Sequence, residues 1–233
     1  MAERSQIFTN RATAGVALAR ELQRRLLRPP LVVLALPRGG VAVAYEVARM
    51  LHAPLDVMVV RKIGMPGQPE LAIGAIASGG IVVHEPGMET EFPELAESFD
   101  RVLEEERVEL ERRERVYRPG AAALDLAGKS AILVDDGLAT GATMLAAIRA
   151  ARKAGAATII VAAPVASPQA AALVRREADA TVILETPAAL FAIGQWFRDF
   201  EQLDDAEVLR LLELSRSNPD GSPGVVKQHR ARG

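Results

Sequence analysis

An apolar run that ends on two adjacent carboxylates constrains this chain more than any other feature. In Ala131-Ile-Leu-Val-Asp-Asp-Gly-Leu-Ala-Thr-Gly-Ala-Thr143 a buried-strand pattern stops at Asp135-Asp136. A short Gly/Thr-rich turn follows, and Met144 to Lys153 then has the composition of a helix. That order sets hydrogen-bond acceptors beside a helix N-terminus, whose unsatisfied backbone N–H groups favour an anion. Asp135 and Asp136 can accept hydrogen bonds from a vicinal diol. The N–H groups and hydroxyls of Thr140 to Thr143 can wrap a phosphate. A ligand that carries both groups close together is a ribose 5-phosphate.

The flanking sequence alternates between short apolar runs and helical patterns. Asn10 is a candidate N-cap for a helix over 11–27, which Pro29-Pro30 stop. Leu31 to Leu36 reads as a buried strand, followed by Pro37-Arg-Gly-Gly40 and a helix over 41–51. Leu55 to Val60 reads as a second strand that ends at Arg61-Lys62. Leu71 to Ala77 and Ile81 to His84 read as strands joined by Ser78-Gly-Gly80, a hairpin pattern. Residues 93–118 form a long, strongly charged helix. Beyond the central motif, with its strand over 131–135 and helix over 142–154, come a strand over 158–162, a helix over 168–177 and a strand over 181–184. An irregular aromatic segment over 186–200 and a helix over 204–215 complete the order. This alternation predicts an α/β fold with a doubly wound, mostly parallel sheet. A single domain over 1–215 is expected, and the Pro/Gly/Ser-containing tail 216–233 reads as disordered. Gly128-Lys129-Ser130 precedes its strand instead of following one, so it reads as a turn and not as a phosphate loop.

Composition removes several chemistries. The chain has no cysteine, which excludes disulfides, thiolate nucleophiles and cysteine-ligated metals. His52, His84 and His229 show no metal-ligand spacing. A formal net charge of −2 supplies no overall field for nucleic acid or an anionic membrane, so neither is expected as a partner. Met1-Ala-Glu-Arg-Ser lacks the apolar core of a secretory signal, and a cytoplasmic location is expected.

The acid pair and its Thr140-Gly141-Ala142-Thr143 loop resemble the phosphoribosyl pyrophosphate (PRPP) binding motif of type I phosphoribosyltransferases, most closely the adenine-specific version. The resemblance covers roughly residues 5–215. It implies the type I fold, with a small hood formed by about 186–200 and the N-terminal helix, and a flexible lid loop at Gly64 to Leu71. It also implies a PRPP site built from Asp135, Asp136, Gly137, Ala139, Thr140, Gly141, Ala142 and Thr143. Pro37-Arg38-Gly39-Gly40 resembles the family's pyrophosphate loop, which often contains a cis non-proline peptide. Arg61-Lys62 resembles the cationic pair that faces pyrophosphate in the adenine enzymes.

Phe191-Ala192-Ile-Gly194, with Trp196 and Asp199, resembles the hood of the hypoxanthine-guanine enzymes. By that likeness Phe191 stacks on the base, with Ala192 and Trp196 nearby, and Asp199 faces magnesium or pyrophosphate. The same aromatics also suit a hydrophobic mini-core. The reaction implied is Mg²⁺-dependent displacement of pyrophosphate at the ribose C1 by a nitrogenous, purine-like acceptor, as in nucleotide salvage. Its transition state has oxocarbenium character. Asp135 and Asp136 would fix the ribose, with Asp135 also near the metal. Arg38 with Arg61 or Lys62 would neutralise the leaving group, and Mg²⁺ would be held mainly by PRPP.

Ala139 departs from the 6-oxopurine enzymes, which carry an acid there. Glu70, in the lid, is one candidate acid/base. Two other readings stay open: a PRPP-binding sensor without transfer, and a PRPP or nucleotide hydrolase. A homodimer is usual in the family.

Overall fold

The computed structural model describes residues 8–25, 27–65, 68–84, 96–120 and 124–217, without the side chains of 68–72 and 96–98. Five parallel strands form the main sheet: β1 (Leu31–Ala35), β2 (Leu55–Val57), β6 (Ser130–Val134), β7 (Thr158–Val165) and β8 (Ala180–Glu185). Their spatial order is β2-β1-β6-β7-β8. A second, antiparallel sheet contains β3 (Val60–Met65), β4 (Gln68–Ala77) and β5 (Ile81–His84). The helices are α1 (Arg11–Gln23), α2 (Gly39–Leu51), α3 (Ala96–Tyr117), α4 (Ala142–Lys153), α5 (Pro168–Glu177) and α6 (Asp205–Ser217), with a 3₁₀ turn at Ile193–Trp196. No helix among the described residues is long and apolar enough to cross a membrane.

Both faces of the parallel sheet are covered, which explains why its central strands are apolar on both sides, as in Leu31–Ala35 and residues 131–134. Val33 and Ala35 pack with Leu18 and Leu22 of α1, Val43 and Val47 of α2, and Leu212 of α6. Val32 and Leu34, pointing the other way, pack with Met144 and Ile148 of α4 and Val174 of α5. The start of α1 follows the cap expected at Asn10, and Ser167 caps α5. Asn10 Oδ1 accepts from the Thr13 N–H at 2.9 Å, and the Asn10 N–H donates to Thr13 Oγ1 at 3.1 Å, a reciprocal capping box. Ser167 Oγ accepts from the Ala170 N–H at 3.0 Å, with Pro168 at the first helical position.

Strand order creates a switch point. The chain leaves β1 through α2 for β2 on one side, while β6 pairs with β1 on the other. Registry of Ala35 with Val134 brings the carboxyl ends of β1 and β6 level. Ligand crevices in open α/β sheets form at such a place.

Two local expectations are corrected. The run 55–60 is not one strand: β2 ends at Val57, the chain turns at Met58-Val59, and β3 begins at Val60 in the other sheet. Arg61 and Lys62 therefore lie inside β3, not at a strand end. The corner is held by hydrogen bonds that periodicity cannot reveal. The Met58 N–H donates to the Ala35 carbonyl at 2.9 Å. The Val59 N–H donates to Ser78 Oγ at 2.9 Å, and the Ser78 N–H returns a bond to the Val59 carbonyl at 2.9 Å.

The poorly patterned segment 64–71 is the second correction, because it is mostly strand. β3 runs to Met65 and β4 starts at Gln68, with register shifts around Gly64. Bulges accept glycine, and β5 pairs only with 74–77, so Pro69 lies where β4 has one neighbour at most. Residues 66–67 lie outside those described. Of the tail expected to be disordered, Arg216 and Ser217 belong to α6, and 218–233 lie outside the described residues.

Ser78 is fully buried. Ser78→Ala strands the Val59 N–H without an acceptor, and the expected loss of stability is about 1–3 kcal/mol. Urea denaturation checks this; a loss below about 0.5 kcal/mol would show that the corner does not depend on the hydroxyl.

Candidate functional site

Two loops meet where β1 and β6 end. The first carries Pro37-Arg38-Gly39-Gly40, with a cis peptide between Pro37 and Arg38. The second carries Asp135 to Gly141. Their contact is too close for side chains on the first loop. A Cβ on Gly39 would lie 1.9 Å from Asp136 Oδ2, and one on Gly40 would lie 2.7 Å from the Val134 carbonyl oxygen and 3.0 Å from the Asp135 Cα. The glycines thus let the acid pair seat directly against the Arg38 loop.

The two carboxylates have different environments. Asp135 Oδ1 accepts from the Asp136 N–H at 2.8 Å. Burial first, and the neighbouring Asp136 charge second, push the Asp135 carboxyl well above the usual aspartate range. Asp136 is paired: Arg11 Nε donates to its Oδ2 at 2.7 Å, with both side chains largely buried. The same guanidinium donates to the Glu201 carbonyl at 2.7 Å and lies 3.7 Å from the centroid of the Phe200 ring. Sequence reasoning missed Arg11. A signal was present: it is the first residue of a capped helix, where the helix dipole disfavours a cation and no acid in the first turn offsets it.

The rest of the second loop is strapped to the neighbouring β7–α5 turn. The Leu138 N–H donates to the Val165 carbonyl at 2.9 Å, the Ser167 N–H to the Leu138 carbonyl at 2.9 Å, and Ser167 Oγ to the Ala139 carbonyl at 2.7 Å. Gly141, at φ +81°, turns the chain into α4 with no acid in its first turn, and Thr140 Oγ1 is a side-chain acceptor there, 3.4 Å from the Ala142 N. Thr140 and Ala139 are exposed, and Ala142 and Thr143 are half-buried. The N-terminus of α4 therefore presents donors and a positive dipole end on the same edge as the acid pair.

The cationic candidates separate. Arg38 is partly exposed, with Asp205 of α6 3.9 Å away. Asp205 also accepts from the Tyr117 hydroxyl at 2.6 Å. Burial and this bond push the tyrosine up to about 12, so it stays a donor. Arg61 turns toward α3 and pairs with Glu106 at 2.6 Å. Lys62, on the opposite face of β3, is exposed. Glu70 lies on β4, and its side chain is outside the described residues.

The hood folds onto the N-terminus. Phe8 bridges to Phe197 in parallel, and the Asp199 N–H donates to the Thr9 carbonyl at 2.9 Å. Phe8, Phe197, Trp196 and Phe200 form a mini-core, whereas Phe191 is 74 % exposed and Ala192 is exposed beside it. Ile193 covers Gly137, whose Cβ would lie 2.5 Å from Ile193 Cγ2. Asp199 is exposed. Among the described residues no group of three or more His, Asp or Glu could hold a metal.

A carboxyl whose pKa is raised on folding binds its proton more readily in the folded chain. Its contribution to stability is present below the ordinary aspartate pKa and is lost as pH rises through the raised value. Asp135→Asn, which keeps the acceptor for Asp136, is expected to stabilise the protein at neutral pH by about 1 kcal/mol, the scale of ordinary stabilising substitutions. The gain should shrink as pH falls through the raised value and be gone below about pH 4. Paired urea titrations across pH check it, and a gain independent of pH would contradict the burial argument.

Comparison with known proteins agrees with this geometry. The model of the phosphoribosyl transferase domain matches residues 4–195. Two Mycobacterium tuberculosis proteins, Rv0571c and MT0597, are provisionally named phosphoribosyl transferases. Each is 44 % identical over 208 residues, covering 89 % of this chain and 47 % of the relative. The chain thus spans about half the length of the curated relatives it matches. The crystal structure of TT1426 from Thermus thermophilus is 40 % identical, with a TM-score of 0.81 over 88 % of this chain and 97 % of that one. The domain match, the level of identity and the shared architecture together establish that the chain belongs to the phosphoribosyltransferase family and has the type I fold.

Proposed function

We propose that the protein transfers 5-phosphoribose from Mg-PRPP to a nitrogenous acceptor, a purine-like base, with release of pyrophosphate. One observation carries this reading. The Asp135-Asp136 pair is seated against the Arg38 loop, and the start of α4 lies on the same edge, so diol acceptors and anion donors share it. Asp135 and Asp136 accept hydrogen bonds from the ribose hydroxyls and place negative charge near the developing oxocarbenium ion. Thr140 to Thr143 and the α4 N-terminus hold the 5-phosphate. Arg38 and Lys62 face the pyrophosphate; Arg61, paired with Glu106, has the weaker claim.

Magnesium would be held mainly by the substrate. The oxygens of the acid pair are hard ligands, but Asp135 is half-buried and Asp136 is shared with Arg11, so they suit a metal held chiefly by PRPP. Bound there, Mg²⁺ would neutralise charge on the leaving pyrophosphate. Asp199 and Glu70 are lesser candidates for metal contact and proton transfer.

The acceptor side rests on Phe191, whose exposed ring is suited to stacking, with exposed Ala192 next to it in the chain. Ala139 offers no acid at the loop position used by 6-oxopurine enzymes, which favours an adenine-like acceptor.

Pyrophosphate release from Mg-PRPP, measured over a panel of purine and pyrimidine bases with a no-base control, tests the reading. Release that requires one base is expected; base-independent release would indicate hydrolysis, and binding without release would indicate a sensor. Asp135→Asn combined with Asp136→Asn should weaken Mg-PRPP binding by at least about 100-fold, since two charge-assisted hydrogen bonds are lost. Unchanged affinity in calorimetry would remove the acid pair from the site. Phe191→Ala should raise the acceptor KM by about tenfold, on the scale of a stacked ring, while sparing the KM for PRPP. Equal effects on both substrates would deny it the stacking role.

A further inference from the structure

Arg11 makes three contacts on two separate parts of the molecule. It reaches Asp136 in the acid pair, and the Glu201 carbonyl and the Phe200 ring at the end of the hood. It is 9 % exposed and stands at the unfavourable end of its own helix dipole, so nothing local to α1 accounts for a cation there. A planar guanidinium can hold a carboxylate, a carbonyl and an aromatic face together; a lysine ammonium cannot.

We propose that Arg11 is a positioning residue that couples occupancy of the acid pair to the placement of the hood. The inference rests on the reading of Asp135 and Asp136 as the ribose-binding acids. Asp136 Oδ2 is confined between Arg11 Nε and the backbone of Gly39. A ribose hydroxyl that donates to this carboxylate must share it with Arg11, which alters the ion pair. The guanidinium is rigid, so any shift reaches Phe200 and Glu201 directly. The tilted rings of Phe200 and Phe197 lie 4.9 Å apart between centroids, and those of Phe197 and Phe8 5.5 Å apart. Phe200 also abuts Gly194, whose Cβ would lie 2.8 Å from the ring. Gly194 lies three residues after Phe191. PRPP binding therefore sets the acceptor-side ring, and by linkage an acceptor changes PRPP affinity by the same factor. A second contact, Ile193 on Gly137, joins hood and loop without Arg11. The test must separate the two routes.

Trp196 is the sole tryptophan of the chain and belongs to the hood mini-core, with its carbonyl accepting from the Phe8 N–H at 3.1 Å. Its emission can be followed while Mg-PRPP is titrated, with calorimetry in parallel, and amplitudes compared at saturation so that altered affinity does not enter. The wild-type protein should show heat and a shift in Trp196 emission. Arg11→Lys keeps a cation beside Asp136 but cannot span to the ring and carbonyl; it should show heat with the emission shift lost. Phe200→Leu, which leaves the ion pair in place, should lose the shift too. A shift retained in both variants would assign the coupling to Ile193 and Gly137 and overturn the role of Arg11. Wild-type heat without any emission shift would overturn the coupling while leaving the PRPP site intact. Absence of wild-type heat would remove the PRPP reading itself, and the coupling with it.

Discussion

The parallel pairing of β1 with β6 is the constraint on which the rest depends. It sets Ala35 beside Val134, so the loops that follow these strands emerge together at the switch point of the sheet. Each loop then has to accommodate the other. Gly39 and Gly40 do so by having no side chain, and the acid pair fills the space they leave. Any larger residue there would separate the Arg38 loop from the carboxylates and open the crevice. Fold and site are thus one packing problem: the sheet brings the loops level, and the glycines let them touch.

The acid pair carries an electrostatic conflict that folding alone does not require. Two half-buried carboxylates in sequence raise each other's energy. The structure answers this unequally. Asp135 receives a backbone N–H and keeps a raised proton affinity, whereas Asp136 receives a full cationic partner from α1. Such an arrangement is unfavourable for an empty scaffold, and it suits a pocket whose ligand brings hydroxyl donors and a metal. Strained electrostatics at the ends of strands, supported by a well-covered sheet, are where function is generally held in α/β proteins.

Much of the fold was legible because its signals are local. The cap at Asn10, the two-sided apolar strands and the hairpin at Ser78-Gly-Gly80 each state their structure within a few residues. The central motif was legible for the same reason, since acids, glycines and threonines sit on one strand-turn-helix. What failed depended on partners distant in sequence. The turn at Met58-Val59 looks like continued strand until Ser78 is brought to it. The Gly/Pro-rich run at 64–71 reads as loop, yet pairing across Met65 and Gln68 extends the sheet through it. Arg61 and Lys62 look equivalent as neighbouring cations. Strand alternation then gives one to Glu106 and leaves the other exposed.

By itself the sequence determined the class of fold, the order of its elements and the acid-glycine-threonine loop, because these follow from periodicity and from residue types at fixed short spacing. Only the tertiary structure decided which charges are neutralised and which are presented. Arg11 lies 125 residues from Asp136, and Tyr117 lies 88 from Asp205; packing alone joins them. Charge pairing falls steeply with distance and burial, and neither distance nor burial between remote segments is written in the local pattern of a chain.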